Sequence, residues 1–200
     1  MSIKKQHTMK YILIIILGIF CYNCKAQNPV LPLDDWDEEQ TNAYYKDLDN
    51  ELNGFVGTWL YTEGNTSLKI VLKKEVMHFN GRYYEDLIVG EYQYIKNGVE
   101  KINTLANLNT VLGYQHKING NSIFKDCIFL PASDCTDGET RLDVNLSDPI
   151  TEHPSNTLLH KRIVNGQQAL RMRWSFNYFE NNPPDPNMPW KGEWLLIKQD

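Results

Sequence analysis

The chain has 200 residues, of which 42% are apolar, 22% charged and 12% aromatic. That is enough apolar material for one domain with its own core, and it excludes a disordered chain or a short disulfide miniprotein. The 20 basic and 25 acidic residues give a formal charge of −5, and the absence of a repeat period, heptad run or low-complexity tract argues against a solenoid or coiled coil.

Lys4, Lys5, His7 and Lys10 precede an unbroken apolar stretch from Tyr11 to Cys21, and no acid occurs before Asp34. A basic segment followed by a short apolar one is the pattern of a secretory signal peptide. The stretch is well short of the roughly 20 residues that span a bilayer. Cys24 and Ala26 place small side chains at the −3 and −1 positions, which predicts a signal peptide over 1–26 and Gln27 as the mature N-terminus. The alternatives are lipidation at Cys24, although Cys21-Tyr22-Asn23 lacks the small aliphatic residues of a lipobox, or retention of the segment. Cleavage predicts a periplasmic or extracellular protein; lipidation predicts an outer-membrane lipoprotein, and membrane attachment is expected only then. Loss of Lys4, Lys5, Lys10 and Lys25 leaves 16 basic residues against 25 acidic ones, a balance that disfavours nucleic acid and anionic lipid as partners. The two cysteines left after cleavage, Cys127 and Cys135, are expected to pair.

Residues 27–53 read as an extended leader with Pro29 and Pro32, then an amphipathic helix. Asp34 and Asp35 supply capping chemistry, Tyr44 or Tyr45, Leu48 and Leu52 recur at spacings of four, and Asn53-Gly54 ends the run. From 54 to 200 the texture becomes β. The strand candidates are 55–63, 66–79, 83–96, 98–105, 110–118, 121–130, 139–147, 157–165, 167–179 and 192–198. Asn80-Gly81, Asn97-Gly98, Asn119-Gly120 and Asn165-Gly166 read as hairpin turns. Alternation is clearest where Leu170, Met172, Trp174, Phe176 and Tyr178 face one way and Arg171, Arg173, Ser175 and Asn177 the other. These features predict an all-β, mainly antiparallel meander with one N-terminal helix, closed into a barrel so that no edge is left open.

Phe55-Val56-Gly57-Thr58-Trp59 resembles the Gly-x-Trp signature that opens the first strand of the lipocalin-like (calycin) barrels. The resemblance implies structural roles for Gly57, at a tight strand entry, and for Trp59, as a plug at the closed end of the barrel. The last strand has no arginine to cover that tryptophan, and Lys198 is the residue left for the part. The chain also resembles small uncharacterised exported proteins of the Bacteroidota.

No nucleophile elbow, zinc-protease, Walker or dinucleotide motif is present, so no catalytic residue, metal ligand or cofactor is assigned. His78, His116, His153 and His160 are spaced unlike metal ligands and read as surface or loop histidines. Asp134, Asp137, Gly138 and Glu139 read as a solvated acidic turn, and the proline-rich stretch 181–190 as a stiff connector ending in Trp190. Glu85 and Asp86 are expected on opposite faces of one strand. The functional expectation is an exported, non-enzymatic binding module for a small apolar or amphipathic ligand, with Trp174, Phe176, Tyr178, Tyr92 and Tyr94 as candidate lining. The alternative is an envelope or extracellular protein-interaction domain with a filled core.

Overall fold

The computed structural model describes residues 28–35, 39–177 and 185–200; the predicted signal segment, the lipidation alternative Cys24 and the candidate ligand residue Tyr178 lie outside them. The strands are β1 (Val30–Pro32), β2 (Tyr44–Lys46), β3 (Gly57–Glu63), β4 (Thr66–Phe79), β5 (Tyr84–Lys96), β6 (Val99–Asn103), β7 (Ile118–Phe124), β8 (Arg141–Ser147), β9 (Pro154–Val164), β10 (Gln167–Phe176) and β11 (Lys191–Gln199). Strands β3, β4, β5, β7, β8, β9, β10 and β11 form an antiparallel meander. It closes because β11 returns to β3 and β5 pairs with β7. The result is an eight-stranded closed barrel, consistent with a lipocalin-like fold. Short β6 pairs with β5, and β1 and β2 extend the sheet at the start of β5 in parallel register.

Asn97-Gly98 and Asn165-Gly166 make two-residue hairpins with positive φ at both positions. Asn119-Gly120 does not turn. It lies inside β7, where the register with β8 shifts, and a Cβ on Gly120 would sit 2.6 Å from the Asp143 carbonyl oxygen. Here glycine serves a close approach of two backbones instead of a reversal. The strand expected over 110–118 is also absent: a 3-10 turn at Gly113–Gln115 lies there, preceded by another at Leu105–Asn109. Asn103 Oδ1 accepts the Leu105 amide and Thr110 Oγ1 donates to the Asn107 carbonyl, local bonds that compete with a strand ladder.

The helix expected over Trp36–Leu52 does not form in the described residues. Tyr44–Lys46 is a strand, and helical geometry is confined to a 3-10 turn at Glu51–Phe55. Asn42 and Asn50 are left-handed, with φ of 63° and 56°, which breaks a right-handed path. The carboxylate of Asp47 accepts the amides of Glu51 and Leu52 and starts the short turn there instead.

This N-terminal strap closes one end of the barrel. Leu52 and Phe55 are fully buried beneath it, and Trp59 Nε1 donates to the Phe55 carbonyl. The Lys198 ammonium lies 5.2 Å from the centroid of the Trp59 ring, a cation–π contact. A Cβ on Gly57 would fall 2.9 Å from Lys198 Cε, so the strand entry, the tryptophan and the lysine pack as one unit.

Side chains fill the barrel axis. Leu170, Met172, Trp174 and Phe176 point inward, and the Trp174 ring packs 4.5 Å from Trp194, which stacks on Tyr61 at 4.5 Å. Gly192, opposite Trp174, makes room for the indole: a Cβ there would lie 2.3 Å from its ring. On the outer face, a loop carrying the Cys127–Cys135 disulfide lies against β8–β11. Phe129 and Asp126 bond to Arg141, Asp134 to Arg162 and Arg171, and Ser133 to Glu193.

Two stability outcomes are expected. Trp59→Ala, which empties the strap end of the barrel, should cost about 3–5 kcal/mol in denaturant titration. Cys127→Ala/Cys135→Ala should lose about 2–3 kcal/mol through the greater chain entropy of an open loop, and an unchanged denaturation midpoint would show that the outer-face contacts hold the loop alone.

Candidate functional site

A cleft of about 280 Å³ opens where the strap crosses the end of β7. Its lining is Pro32, Leu33, Asp34, Asp47, Leu48, Asp49, Glu51, Asn121 and Ile123. The lining combines four apolar side chains with four carboxylates and one amide. Two of the acids are matched by lysines: Lys74 Nζ lies 2.8 Å from Asp47, and Lys125 Nζ lies 3.0 Å from Glu51. Asp34 and Asp49 form no ion pair among the described residues.

Below the cleft, Lys74 enters the barrel end between Asp47 and Asp86, 3.6 Å from the latter. Asp86 also accepts the Tyr44 hydroxyl at 2.6 Å and the amides of Asp47 and Met77. Burial and the bond to Asp86 hold the Tyr44 phenol well above its ordinary value. Lys74, Tyr44 and two backbone amides thus tie Asp47 and Asp86 to the barrel wall beneath the cleft.

Trp174, Phe176, Tyr92 and Tyr94 are all buried in the core, and none of them lines this cleft. Trp174 Nε1 donates to the Pro189 carbonyl and Tyr92 Oη to the Ser147 carbonyl, so the polar tips of both are engaged. The described end of the proline-rich stretch is docked: Met188 is buried, Trp190 packs against the core, and Asn187 bonds to Asp148. Glu85 and Asp86 do point to opposite faces. Glu85 meets Asn80, Tyr114 and Asn121 outside the barrel, while Asp86 meets Lys74 and Tyr44.

One expectation about polar residues is corrected. His116, His153 and His160 are buried rather than on the surface. Carboxylates hold two of them, Glu91 for His116 and Glu139 for His160, and His153 packs edge-on to Trp190 at 4.9 Å. The acidic turn is exposed at Asp134, Asp137 and Gly138, as expected, but its carboxylates are engaged: Asp134 and Glu139 are clamped by Arg162, and Asp137 accepts the Cys127 amide. The hydrogen bond from Arg162 holds Asp134 below its usual range. At Glu139 burial opposes ionisation, but hydrogen bonds from His160 and Arg162 outweigh it and the carboxyl is lowered. Cys127, Cys135 and Glu139 lie close enough together to hold an ion, but the disulfide consumes both thiols.

Sequence reasoning assigned Asp34 to helix capping, gave Asp47, Asp49 and Glu51 no role, and missed their convergence on the cleft. The available signal was the density of carboxylates beside Leu33 and Leu48; what places them together is the strap's crossing of β7, which local periodicity does not encode.

The fold and site define a small closed antiparallel barrel with a strapped, acidic end. The chain belongs to a family of unknown function, DUF6705, whose profile matches residues 9–199. No curated protein and no solved structure matches it. The disulfide suggests an oxidising, non-cytoplasmic compartment, and no helix among the described residues is long and apolar enough to cross a membrane.

One carboxyl in the barrel wall gives a pH test of the fold. Burial pushes Asp143 from 3.8 up to about 6, against the opposing effects of the Thr157 amide and Arg141. The folded state therefore holds this proton after the unfolded chain has lost it, and this group's contribution to stability falls as pH rises from about 4 through about 6. Asp143→Asn should leave the melting temperature unchanged below pH 4 and raise it above pH 6. Thermal melts of both proteins across that range measure the difference.

Proposed function

We propose that this protein is an exported binding domain in which the barrel is a filled scaffold and the strap-end cleft takes a small amphipathic cation. The observation that carries this reading is the cleft itself, which sets Leu33, Leu48, Pro32 and Ile123 against Asp34, Asp47, Asp49 and Glu51. Asp34 and Asp49 are the acids left to meet a ligand's positive charge. At about 280 Å³ the cleft falls just below the usual range of ligand sites, which suits a short alkylamine or a basic side chain better than a fatty acid. Export is supported by the basic and apolar order of residues 4–21, the small residues at Cys24 and Ala26, and the disulfide.

The filled axis favours a second reading, a protein-interaction domain of the envelope or extracellular space. Here the cleft would receive a lysine or arginine of the partner.

Calorimetric titration with hexylammonium, hexyl glucoside and hexyl sulfate tests the first reading. Hexylammonium should bind saturably and the sulfate should not. Asp34→Asn/Asp49→Asn should weaken the ammonium by about tenfold, roughly 1.4 kcal/mol, and added salt should weaken it further. Equal binding of all three heads, or of the double variant and the parent, would sink the cationic reading.

A further inference from the structure

The disulfide loop presents apolar side chains to solvent at the same end of the barrel as the cleft. We propose that cleft and loop together form a docking surface for an extended peptide segment, the cleft taking a lysine or arginine and the loop an apolar side chain a few residues along. The inference rests on the reading of the cleft as a site for an amphipathic cation, and it places that cation within a protein chain.

Lys125 joins the two surfaces. Its side chain reaches the cleft, where the ammonium lies 3.0 Å from Glu51. The hydrogen bond to Glu51 holds this lysine above its ordinary value, and the charges of Asp34 and Asp49 act in the same direction. Three of the acids that line the cleft therefore converge on one ammonium at its rim. The chain's own lysine already occupies Glu51, and Asp34 and Asp49 are left for a second basic head. The backbone of Lys125 opens the disulfide loop: its carbonyl accepts the Gly138 amide at 2.8 Å, which pins the two arms of the loop together.

Three positions beyond Lys125, Ile128 is 85% exposed, and Phe129 next to it is 43% exposed. Single exposed apolar residues are ordinary, whereas a contiguous apolar patch marks an interaction site. The Phe124 ring, 6.2 Å from that of Phe129, extends this one. The tip is also held in place before any partner arrives. Asp126 Oδ1 accepts the Ile128 amide, Arg141 donates to Asp126 and to the Phe129 carbonyl, and Asp137 accepts the Cys127 amide. Leu130 follows at φ 41°, a left-handed conformation that costs a leucine energy and persists only where the surroundings impose it. A tip ordered in this way loses little conformational entropy on binding.

Chain geometry sets the length of the ligand. The Cα atoms of Lys125 and Ile128 are at most about 11 Å apart, to which the reach of the lysine side chain is added, and an extended peptide covers about 3.3 Å per residue. A basic and an apolar side chain about two to five positions apart on one strand reach both surfaces.

The test is calorimetric titration of the disulfide-bonded chain with end-blocked peptides that carry one lysine and one phenylalanine at each of those spacings on a glycine-serine background. Each is compared with the same peptide carrying serine for phenylalanine. At least one spacing should bind about tenfold tighter than its serine control, roughly 1.4 kcal/mol. Ile128→Ser/Phe129→Ser should melt cooperatively, as a folded protein does, and lose that preference. Ile128→Asp, confined to the more exposed position, should reduce it at least about threefold, roughly 0.6 kcal/mol. The preference should also vanish in Asp34→Asn/Asp49→Asn. Hexylammonium separates the two claims. If the parent binds it but shows no phenylalanine preference at any spacing, or a preference that survives the loop variants or Asp34→Asn/Asp49→Asn, the peptide surface is overturned and the cation site stands. Binding of neither hexylammonium nor any peptide overturns both.

Discussion

The wall of the barrel depends on how one edge of β5 is paired. On one side β5 has a single long partner, β4. On the other it is met by three short strands in succession: β2 at Tyr84 and Glu85, β7 at Ile88–Gly90, and β6 at Gln93–Lys96. Backbone groups between these pieces would be stranded inside the protein, which is expensive. Side chains take them up. Asn121 Nδ2 donates to the Asp86 carbonyl, Thr104 Oγ1 accepts the Tyr92 amide, and the Thr104 amide returns to the Tyr92 carbonyl. Closure of the barrel is therefore a composite of short ladders and polar joints.

The cleft and the polar cover over β4 and β5 are both set by that arrangement. The β2 piece carries the strap to the barrel end, where Lys74 binds Asp47 and Asp86 and fixes the acids around the cleft. The gap between the β7 and β6 pieces lies at Glu91, and the connection between those strands passes over it, bringing Gly113 and His116 down onto β4 and β5. A barrel closed by one continuous ladder along β5 would leave neither the strap nor the cover a place to dock. The disulfide loop is different: it lies on β8–β11 through arginine and carboxylate pairs.

Much of the wall was legible because strand chemistry is local. Alternation through 170–176 assigned the inward aromatics and outward arginines, and two Asn-Gly pairs assigned two-residue hairpins. The same dipeptide failed at 119–120, because glycine also permits close approach of a neighbouring strand, and only the neighbour decides which use applies. The helix over 36–52 failed for a related reason: spacings of four at Tyr44, Leu48 and Leu52 are compatible with a helix, but parallel pairing to β5 and the distant partners of Asp47 are tertiary. The histidines were read by their spacing along the chain, and a bulge at Val76-Met77 that brings Glu75 beside His78 leaves no periodic trace. The acids of the cleft were visible as composition and invisible as a site.

The pieced edge also governs how the barrel can breathe. An opening fluctuation on the β4 side must break a long ladder in concert, whereas on the other side it can begin at a joint and release a segment of two to four residue pairs. Solvent would gain its first entry beside Asp86 and Tyr92, through the side chains of Asn121 and Thr104, rather than through the hairpin ends. The filled interior thus has a seam along its length, and the tightness of that seam is set by two polar side chains instead of by the apolar core they enclose.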